Sequence, residues 1–429
     1  MPDPTTRTPA PALRPVEGLP SPVELARELR HLPGFVFLDT SSAETNPETP
    51  PHERFSLITA RPSRILRGNL FNDADFAVLS EAFTSHSRPA NTTPDLGFPT
   101  DGLYGCIGYE GDFLFGEYHE CLLFDYARQS WHEQGSLSAL RESDNDSAKS
   151  LPGPFLQEMP PEDFCDKVRR AQEYIAAGDI YQVNLSHRLI AAVEPEFDPF
   201  LLHERLREQS PAPYAAYLDL CDRQIISSSP EQFLSMSGRT IQTRPIKGTR
   251  PRFRDRREDE KSAYDLITSP KEVAELIMIT DLERNDLGQI CEFGTVEATE
   301  LLKLERFAQV FHLVSTVEGT LRAEVGAIDA LRACFPGGSI TGAPKKRARE
   351  IIEELEIIER GPYTGAIGCF GFNGESRFSI AIRTAICEGG KLHFHVGAGI
   401  VADSDPEKEW EETLHKAAGI LQACGDPER

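Results

Sequence analysis

Residues 162–189 read EDFCDKVRRAQEYIAAGDIYQVNLSHRL and contain the pattern that decides the fold. Apolar residues recur at helical spacing from Phe164 to Ile175, and Gly178 follows as a stop signal. From Tyr181 onward, apolar and polar residues alternate, which is typical of a strand. A helix followed at once by a strand predicts a fold of the α/β class.

The same signals recur toward the C-terminus. Ser269 and Asp405 each precede a proline and a helical pattern, as helix N-caps do. The stretches SIAIRTAICE (379–388) and KLHFHVGAGIV (391–401) predict two strands joined by a Gly-Gly turn. Because hairpins occur among the interleaved helices and strands, we expect mixed or antiparallel sheets, as in the α+β type of α/β architecture.

Composition divides the chain into four segments. Residues 1–20 are rich in Pro and Thr and predict a disordered tail without the apolar core of a secretory signal. Residues 21–135 mix a short helix with strands, and the polar, Ser-rich residues 136–161 predict a linker or a long surface loop. The signals are clearest in residues 162–425, where we expect the catalytic region.

Charge and cysteine content exclude several classes of protein. The 429 residues carry a formal net charge of −23, which disfavours non-specific binding to nucleic acid or to an anionic membrane. No run of about 18 apolar residues predicts a transmembrane helix. The nine scattered cysteines form no CxxC pair, which is typical of reduced thiols and indicates a cytoplasmic protein.

Positive charge is concentrated at RPIKGTRPR (244–252). Seven of the fourteen residues 244–257 are Arg or Lys, so the stretch is either a solvated loop or a pocket for a small carboxylate or phosphate. Neighbouring cations and loss of water would favour the neutral, nucleophilic form of Lys247. The fragment alone leaves both readings open.

Two further patterns are compatible with ligand binding. Glu409, Glu412 and Lys416 share one helix face. They form either a solvated stripe of charges or a site in which the two carboxylates bind a hard cation such as Mg²⁺. Glu275 could supply a third carboxylate. The glycines of PGGSITGAPKK (336–346) form either a tight turn or an anion cradle, and the stretch is not a Walker A loop.

Eight motifs in a fixed order make the chain similar to one enzyme family. They are GDIYQVNLSHRL, SSSPEQFL, RPIKGTRPR, AELIMITDLERNDLG, VFHLVSTVEG, FPGGSITGAPKKRAREII, SIAIRT and VGAGIVADSDPEKEWEET. This series resembles the chorismate-utilising enzymes, strongly over residues 160–425 and loosely over 21–135. The resemblance implies a large sandwich of two facing sheets with helices outside and a buried cleft between the sheets.

The resemblance also implies roles for individual residues. Glu275, Glu409 and Glu412 would surround Mg²⁺, which holds one carboxylate of chorismate, and Arg383 and Tyr363 would bind the other. The remaining residues expected to line the substrate pocket are Gln182, Gly248, Thr249, His312, Thr341, Gly397, Ala398, Gly399 and Lys416. Asp39 and Thr40, in FLDT, stand where some family members bind tryptophan, although they replace Glu and Ser.

Two positions discriminate among members of the family. Gln182 replaces the lysine base that activates water in isochorismate and salicylate synthases, so ammonia is the expected nucleophile. Lys247 replaces the alanine of anthranilate synthases, and the PIKGT form resembles the members that aminate chorismate at C4. There, Lys247 would attack the ring covalently and Glu231 would act as general acid.

The expected reaction requires a source of ammonia, and we predict a separate glutamine amidotransferase subunit as partner. The product would be 4-amino-4-deoxychorismate, a precursor of 4-aminobenzoate and folate. Anthranilate synthesis and a non-catalytic, chorismate-binding homologue remain the alternatives.

Overall fold

The computed structural model describes residues 12–40, 54–88, 97–142, 150–307 and 309–425. Its helices begin where the sequence signals predict, with Ser269 and Asp405 accepting N-cap hydrogen bonds and Gly178 ending its helix at φ +82°. The helices are α1 Pro22–Leu29, α2 Asp73–Thr84, α3 Pro161–Ala177, α4 Pro199–Gln209, α5 Arg256–Ile267, α6 Pro270–Gly288, α7 Ala327–Cys334, α8 Lys345–Leu355 and α9 Pro406–Ala423.

The strands run from near the N-terminus to residue 400. They are β1 Arg14–Val16, β2 Val36–Asp39, β3 Phe55–Thr59, β4 Arg64–Asn69, β5 Gly102–Ile107, β6 Asp112–Tyr118, β7 Cys121–Asp125, β8 Ser130–Gln134, β9 Leu156–Gln157, β10 Gln182–Ala192, β11 Tyr214–Leu220, β12 Arg223–Ser229, β13 Gln232–Ser237, β14 Thr240–Arg244, β15 Ile246–Pro251, β16 Glu297–Arg306, β17 Val310–Thr320, β18 Gly342–Ala343, β19 Ala366–Gly371, β20 Glu375–Ile380, β21 Thr384–Glu388 and β22 Lys391–Ile400.

The described strands form two sheets. The larger has 12 strands in the order β1-β8-β7-β3-β2-β11-β12-β21-β22-β10-β18, with β9 beside β10. The smaller has 10 strands in the order β15-β17-β14-β13-β20-β19-β5-β6-β4, with β16 beside β17. All ladders between these strands are antiparallel, so the expected two-sheet α/β sandwich is confirmed in its antiparallel form.

Apolar side chains hold the sheets and helices together. A cluster containing Val36 and Ile225 of the larger sheet and Tyr104 and Ile367 of the smaller lies between the two sheets. Helices α1, α4 and α9 pack against the larger sheet, and α5 and α6 pack against β15 and β17 of the smaller. Removing this apolar surface from water is the main stabilising contribution to the fold.

The predicted tail is wrong for its described part. Residues 1–11 lie outside the described residues, but Arg14–Val16 pairs with β8 and the indole Nε1 of Trp131 donates a 2.8 Å hydrogen bond to Pro20 O. An edge strand offers unpaired backbone groups, and here β1 satisfies those of β8. A Pro/Thr-rich composition therefore does not prevent this segment from joining the sheet.

The described residues of the segment 136–161 pack into the fold rather than link two domains, with Leu137, Phe155 and Met159 buried. Residues 143–149 lie outside the described residues, Leu137–Leu140 forms a single 3-10 turn, and β9 pairs with β10. Strands from both sides of the segment share each sheet, so the described chain forms one folded unit.

The stretch SIAIRTAICE was predicted to form one strand, and this prediction is wrong, because the stretch contributes to two strands. Its first residues end β20 in the smaller sheet, and its last residues form β21 in the larger. The chain crosses between the sheets at residues 381–383, where Arg383 has a left-handed φ of +50°. No helix among the described residues combines the length and apolar character needed to cross a membrane.

Candidate active site

Lys247 and Glu231 meet at the loop around Ser339. The Lys247 Nζ donates a 3.3 Å hydrogen bond to Ser339 O, and the Ser339 side chain hydrogen-bonds to Glu231. Glu231 is only 5% exposed, and burial raises the pKa of its carboxyl even though Ser339 and Lys247 act in the opposite direction. The arrangement therefore places an amine beside a carboxyl group that retains its proton above the usual pH.

The arginines of RPIKGTRPR do not form the expected cationic pocket. Arg252 is paired with Asp259 at 2.8 Å, and Arg244 is paired with Glu305. The charged groups that interact with Lys247 are instead carboxylates, namely Glu231, Glu275 and Glu412. The prediction was wrong for Arg252 and Arg244 because Asp259, seven residues farther along the chain, and Glu305, on β16, neutralise them.

A bulge at Gly248 separates Lys247 from Thr249. The register of β15 against β17 shifts between these residues, and Gly248 has φ +80°. The Thr249 hydroxyl lies 3.0 Å from His312 Nδ1. Burial, with a further contribution from Arg383, lowers the pKa of His312 to about 3, so the imidazole is neutral and can hydrogen-bond to a substrate.

The predicted metal-binding carboxylates come together from two helices. Glu275 lies on α6, and Glu409 and Glu412 lie on α9. Lys271 Nζ lies 3.9 Å from Glu409 Oε1, and the Lys416–Glu412 ion pair is 2.8 Å long. Burial raises the pKa of Glu275 and Glu409, and Glu412 adds to both effects.

The chemistry of this cluster suits a hard divalent cation, although the oxygens of Glu275, Glu409 and Glu412 do not all lie within 4.8 Å of one another and would have to move closer to share one. Oε1 of Glu275 is buried and has no hydrogen-bond partner among the described residues. Mutual repulsion disfavours several ionised carboxylates in one place, whereas Mg²⁺ prefers oxygen ligands of this kind. Glu272, which the sequence analysis missed, interacts with Glu275 and repeats the i, i+3 spacing of Glu409 and Glu412. That repeated spacing was the available signal.

Two glycines of β22 allow other side chains to approach the strand closely. A Cβ on Gly397 would lie 2.6 Å from Leu185 O and 3.0 Å from the Tyr363 hydroxyl. A Cβ on Gly399 would lie 2.3 Å from Gln182 Nε2. Both positions therefore require glycine as long as Leu185, Tyr363 and Gln182 keep their positions.

Further polar groups surround β22. The Lys416 Nζ donates a 2.9 Å hydrogen bond to Gly397 O. Oε1 of Gln182 is buried without a hydrogen-bond partner in the described structure, although the residue is only 1% exposed. Ala398 is fully buried and packs in the apolar core while its backbone pairs with β10. This strand thus combines core packing with unsatisfied polar groups.

Arg383 and Tyr363 have the properties expected of a carboxylate site. Burial lowers the pKa of Arg383, and no carboxylate in the described chain forms an ion pair with it. Tyr363 is buried, stacks on His395 at 5.2 Å, and interacts with Asn184 through its hydroxyl. An arginine in a left-handed conformation without an acidic partner is suited to bind an anionic ligand.

Thr341 supports the loop rather than presenting its hydroxyl. The Thr341 Oγ1 donates to Gly337 O at 3.0 Å and to Gly338 O at 3.2 Å, and the side chain is fully buried. The sequence analysis also missed Ser339, because a serine in a glycine-rich turn carries no distinctive spacing.

A buried ion pair holds strand β10 and the loop at Ile340 together beside the site. The sequence analysis missed this pair too. Glu356 and Arg360 are 2.7 Å apart. Arg360 donates to Asn184 O at 2.7 Å and to Ile340 O at 3.2 Å, and Glu356 accepts from Ser186 N at 2.7 Å. The i, i+4 spacing of the pair was a signal, but it is common on exposed helices too.

The possible tryptophan site is occupied by the chain's own contacts. Asp39 forms a 2.7 Å ion pair with Arg207 and accepts a 2.8 Å hydrogen bond from Ser56 Oγ, and Thr40 Oγ1 donates to Phe55 O at 2.9 Å. The adjacent cavity has about 50 Å³, room for a few waters at ~10–15 Å³ each. Tryptophan binding therefore stays a prediction, and it would require the cavity to enlarge.

Comparison with known proteins identifies the family to which the chain belongs. The profile of the family described as chorismate binding enzyme matches residues 69–422. The chain is 43% identical over 295 residues to aminodeoxychorismate synthase component 1 of Bacillus subtilis, covering 69% of this chain and 62% of the relative. It is 47% identical over 269 residues to anthranilate synthase component 1 of Thermus thermophilus, covering 63% and 58%.

A solved structure shows the same fold. Anthranilate synthase component I from Streptococcus pneumoniae superposes with a TM-score of 0.75 at 30% identity, covering 88% of this chain and 94% of that one. The chain belongs to the chorismate-binding enzyme family. Its matches span less than two thirds of the length of the two curated relatives named above, 62% and 58%.

Proposed function

We propose that this chain converts chorismate and ammonia into 4-amino-4-deoxychorismate, the reaction of an aminodeoxychorismate synthase component 1. One observation carries the proposal: the amine of Lys247 and the buried carboxyl of Glu231 both contact Ser339. A nucleophile and a proton donor are thereby positioned on the same side of one loop. The pair has the two functions that displacement of a hydroxyl group requires.

The reaction proceeds by two displacements. The Lys247 nitrogen bonds to C2 of the chorismate ring, both ring double bonds shift, and the C4 hydroxyl leaves as water with the proton of Glu231. Ammonia then bonds to C4, the C2–nitrogen bond breaks, and Lys247 departs as a neutral amine. The raised pKa of Glu231 favours the protonated form that the first step consumes.

Surrounding residues bind the two carboxylates of the substrate. Arg383, beside His312, would take the enolpyruvyl carboxylate together with Tyr363. Bound to Glu275, Glu409 and Glu412, Mg²⁺ would neutralise these carboxylates and hold the ring carboxylate of chorismate. Lys247 interacts electrostatically with Glu275 and Glu412, so the proposed nucleophile lies near the proposed metal ligands.

Gln182 supports ammonia rather than water as the second reactant. Its amide cannot act as a general base near neutral pH, and it lies against Gly399 in the site. We infer that a glutamine amidotransferase subunit supplies the ammonia and that the pair works in the cytoplasm. The product would then be consumed by a lyase that releases pyruvate and 4-aminobenzoate for folate synthesis.

Anthranilate synthesis is the second candidate. It is supported by the 47% identity to the Thermus thermophilus anthranilate synthase component 1, which is comparable to the 43% identity to the Bacillus subtilis aminodeoxychorismate synthase component 1. Lys247 favours the first candidate, because it supplies a nucleophile that amination at C4 can use.

The test supplies the purified chain with chorismate, Mg²⁺ and an ammonium salt and identifies the products by mass spectrometry. We expect 4-amino-4-deoxychorismate, and Lys247→Ala should lower its rate of formation at least about a thousandfold. Lys261→Ala is the matched control, because Lys261 is an exposed lysine paired with Asp265 on α5. Anthranilate as the main product, or full activity in Lys247→Ala, would contradict the proposal.

A further inference from the structure

Two histidines and a glutamate meet at the edge of the smaller sheet, away from the active site. His86 lies just beyond the end of α2, Glu117 lies on β6, and His119 follows that strand. Each residue has one possible metal-ligand atom, and these three atoms all lie within 4.8 Å of one another. Among the described residues, this is the only group of three His, Cys, Asp or Glu side chains with that property. Glu117 and His119 share a face because they are two residues apart in an extended segment.

The distances among these donor atoms suit a small cation. His119 Nε2 lies 3.1 Å and His86 Nδ1 lies 3.8 Å from Oε1 of Glu117. In a tetrahedral zinc site with bonds of 2.0–2.1 Å, neighbouring ligand atoms are about 3.3 Å apart. Both histidine nitrogens thus lie near ligand spacing from Glu117 Oε1, and all three donors lie within 4.8 Å of one another.

Neighbouring groups hold the carboxylate in place. The Arg64 Nε donates a 2.6 Å hydrogen bond to Oε2 of Glu117, which leaves Oε1 directed toward the histidines. Ser63 Oγ lies 3.2 Å from Glu117 Oε1 and 3.4 Å from His119 Nε2. Arg64 therefore orients the ligand carboxylate through its second oxygen, as outer partners do in known metal sites, whereas Ser63 lies beside the ligand atoms themselves.

Aromatic packing restricts the two imidazole rings. The His86 and His119 rings lie 5.2 Å apart, and the Phe372 ring lies 5.1 Å from the first and 6.0 Å from the second. Two exposed histidines are therefore held against one apolar surface. Because their rotamers are already restricted, binding of a metal would cost less conformational entropy.

We propose that His86, Glu117 and His119 bind a Zn²⁺ ion, with water completing its coordination. Two imidazoles and one carboxylate suit zinc, whereas Mg²⁺ prefers a set of oxygen ligands. The ion joins the end of α2 to β6 and stabilises the protein. It is separate from the catalytic groups, because β6 lies seven strands from β15, which carries Lys247, and four strands from β13, which follows Glu231, or about 34 Å and about 19 Å at the usual strand spacing.

The test measures zinc binding to the full chain after treatment with a chelator. Isothermal titration with Zn²⁺ should give one site, and His86→Ala and His119→Ala should each weaken it at least about a hundredfold. Zn²⁺ should raise the Tm of the original chain and not that of either variant. Excess Mg²⁺ should not compete.

Two control variants distinguish this site from others. His31→Ala removes an exposed histidine that lies 3.7 Å from Glu142. Cys221→Ser removes the exposed thiol, the remaining eight being buried. Both should bind Zn²⁺ as the original chain does. Absence of a zinc site, or binding that persists unchanged in His86→Ala and His119→Ala, would overturn the proposal.

Discussion

Replacing Gly248 by alanine should test how the bulge in β15 positions the active site. Gly248 has φ +80°, which an alanine adopts only with strain. The new Cβ would lie 2.7 Å from Leu266 Cδ1 and 2.9 Å from Glu272 Oε2. Both atoms are the ends of side chains on helices packed against β15, so Leu266 and Glu272 would have to change conformation to make room.

The cost can be worked out from these two effects. A left-handed conformation costs a non-glycine residue about 1–2 kcal/mol. Overpacking by one methyl group costs about 1–3 kcal/mol more, so we expect a loss of about 2–5 kcal/mol in the free energy of unfolding. Because Lys247 and Thr249 flank the bulge, the rate of product formation should fall too.

Gly178→Ala provides the matched control for this measurement. Gly178 has φ +82° at the end of α3, and its Cβ would meet nothing within 4 Å. This variant should therefore lose only the conformational part, about 1–2 kcal/mol, with activity unchanged. The assay is urea denaturation of both variants and the original chain. Equal losses in the two variants would refute the reasoning from Leu266 and Glu272.

Three further predictions concern the site itself. Glu275→Gln should raise the Mg²⁺ concentration required for half-maximal activity at least about tenfold, and an unchanged titration would remove Glu275 from the metal site. The rate should fall as pH rises through the raised pKa of Glu231, because the general acid must be protonated, and Glu231→Gln should abolish this falling limb and lower the rate by about 10²–10⁴. Arg383→Lys should raise the KM for chorismate about tenfold or more, since a lysine cannot form a bidentate pair with a carboxylate, and a KM equal to that of the original chain would contradict that contact.

Local sequence signals predicted the elements that begin and end with distinctive residues. Ser269 with Pro270, and Asp405 with Pro406, start helices where expected, and Gly178 ends one. These signals work because the backbone groups at helix ends need partners or a special conformation that few residues provide. The two-sheet fold came from the motif series, since pairing between distant strands leaves no local pattern.

Electrostatics around Lys247 could not be predicted in the same way. Asp259, which neutralises Arg252, is one of four acidic residues within 255–260, and Glu305, which neutralises Arg244, is 61 residues away, so the sequence does not single out either partner. The crossing at Arg383 was missed for a related reason. SIAIRTAICE has a continuous strand pattern, and only the separation of the two sheets in space divides it.

The order of strands in the larger sheet has a consequence for how this protein folds. β21 and β22, near the end of the chain, lie between β12 and β10, and β19 joins β5 to β20 in the smaller sheet. Neither sheet can be completed during synthesis until residues close to position 400 have left the ribosome. Contacts so distant in sequence slow folding, and the half-formed sheets expose unpaired edges meanwhile. We therefore expect the nascent chain to depend on chaperones more than a protein whose strands pair in sequence order.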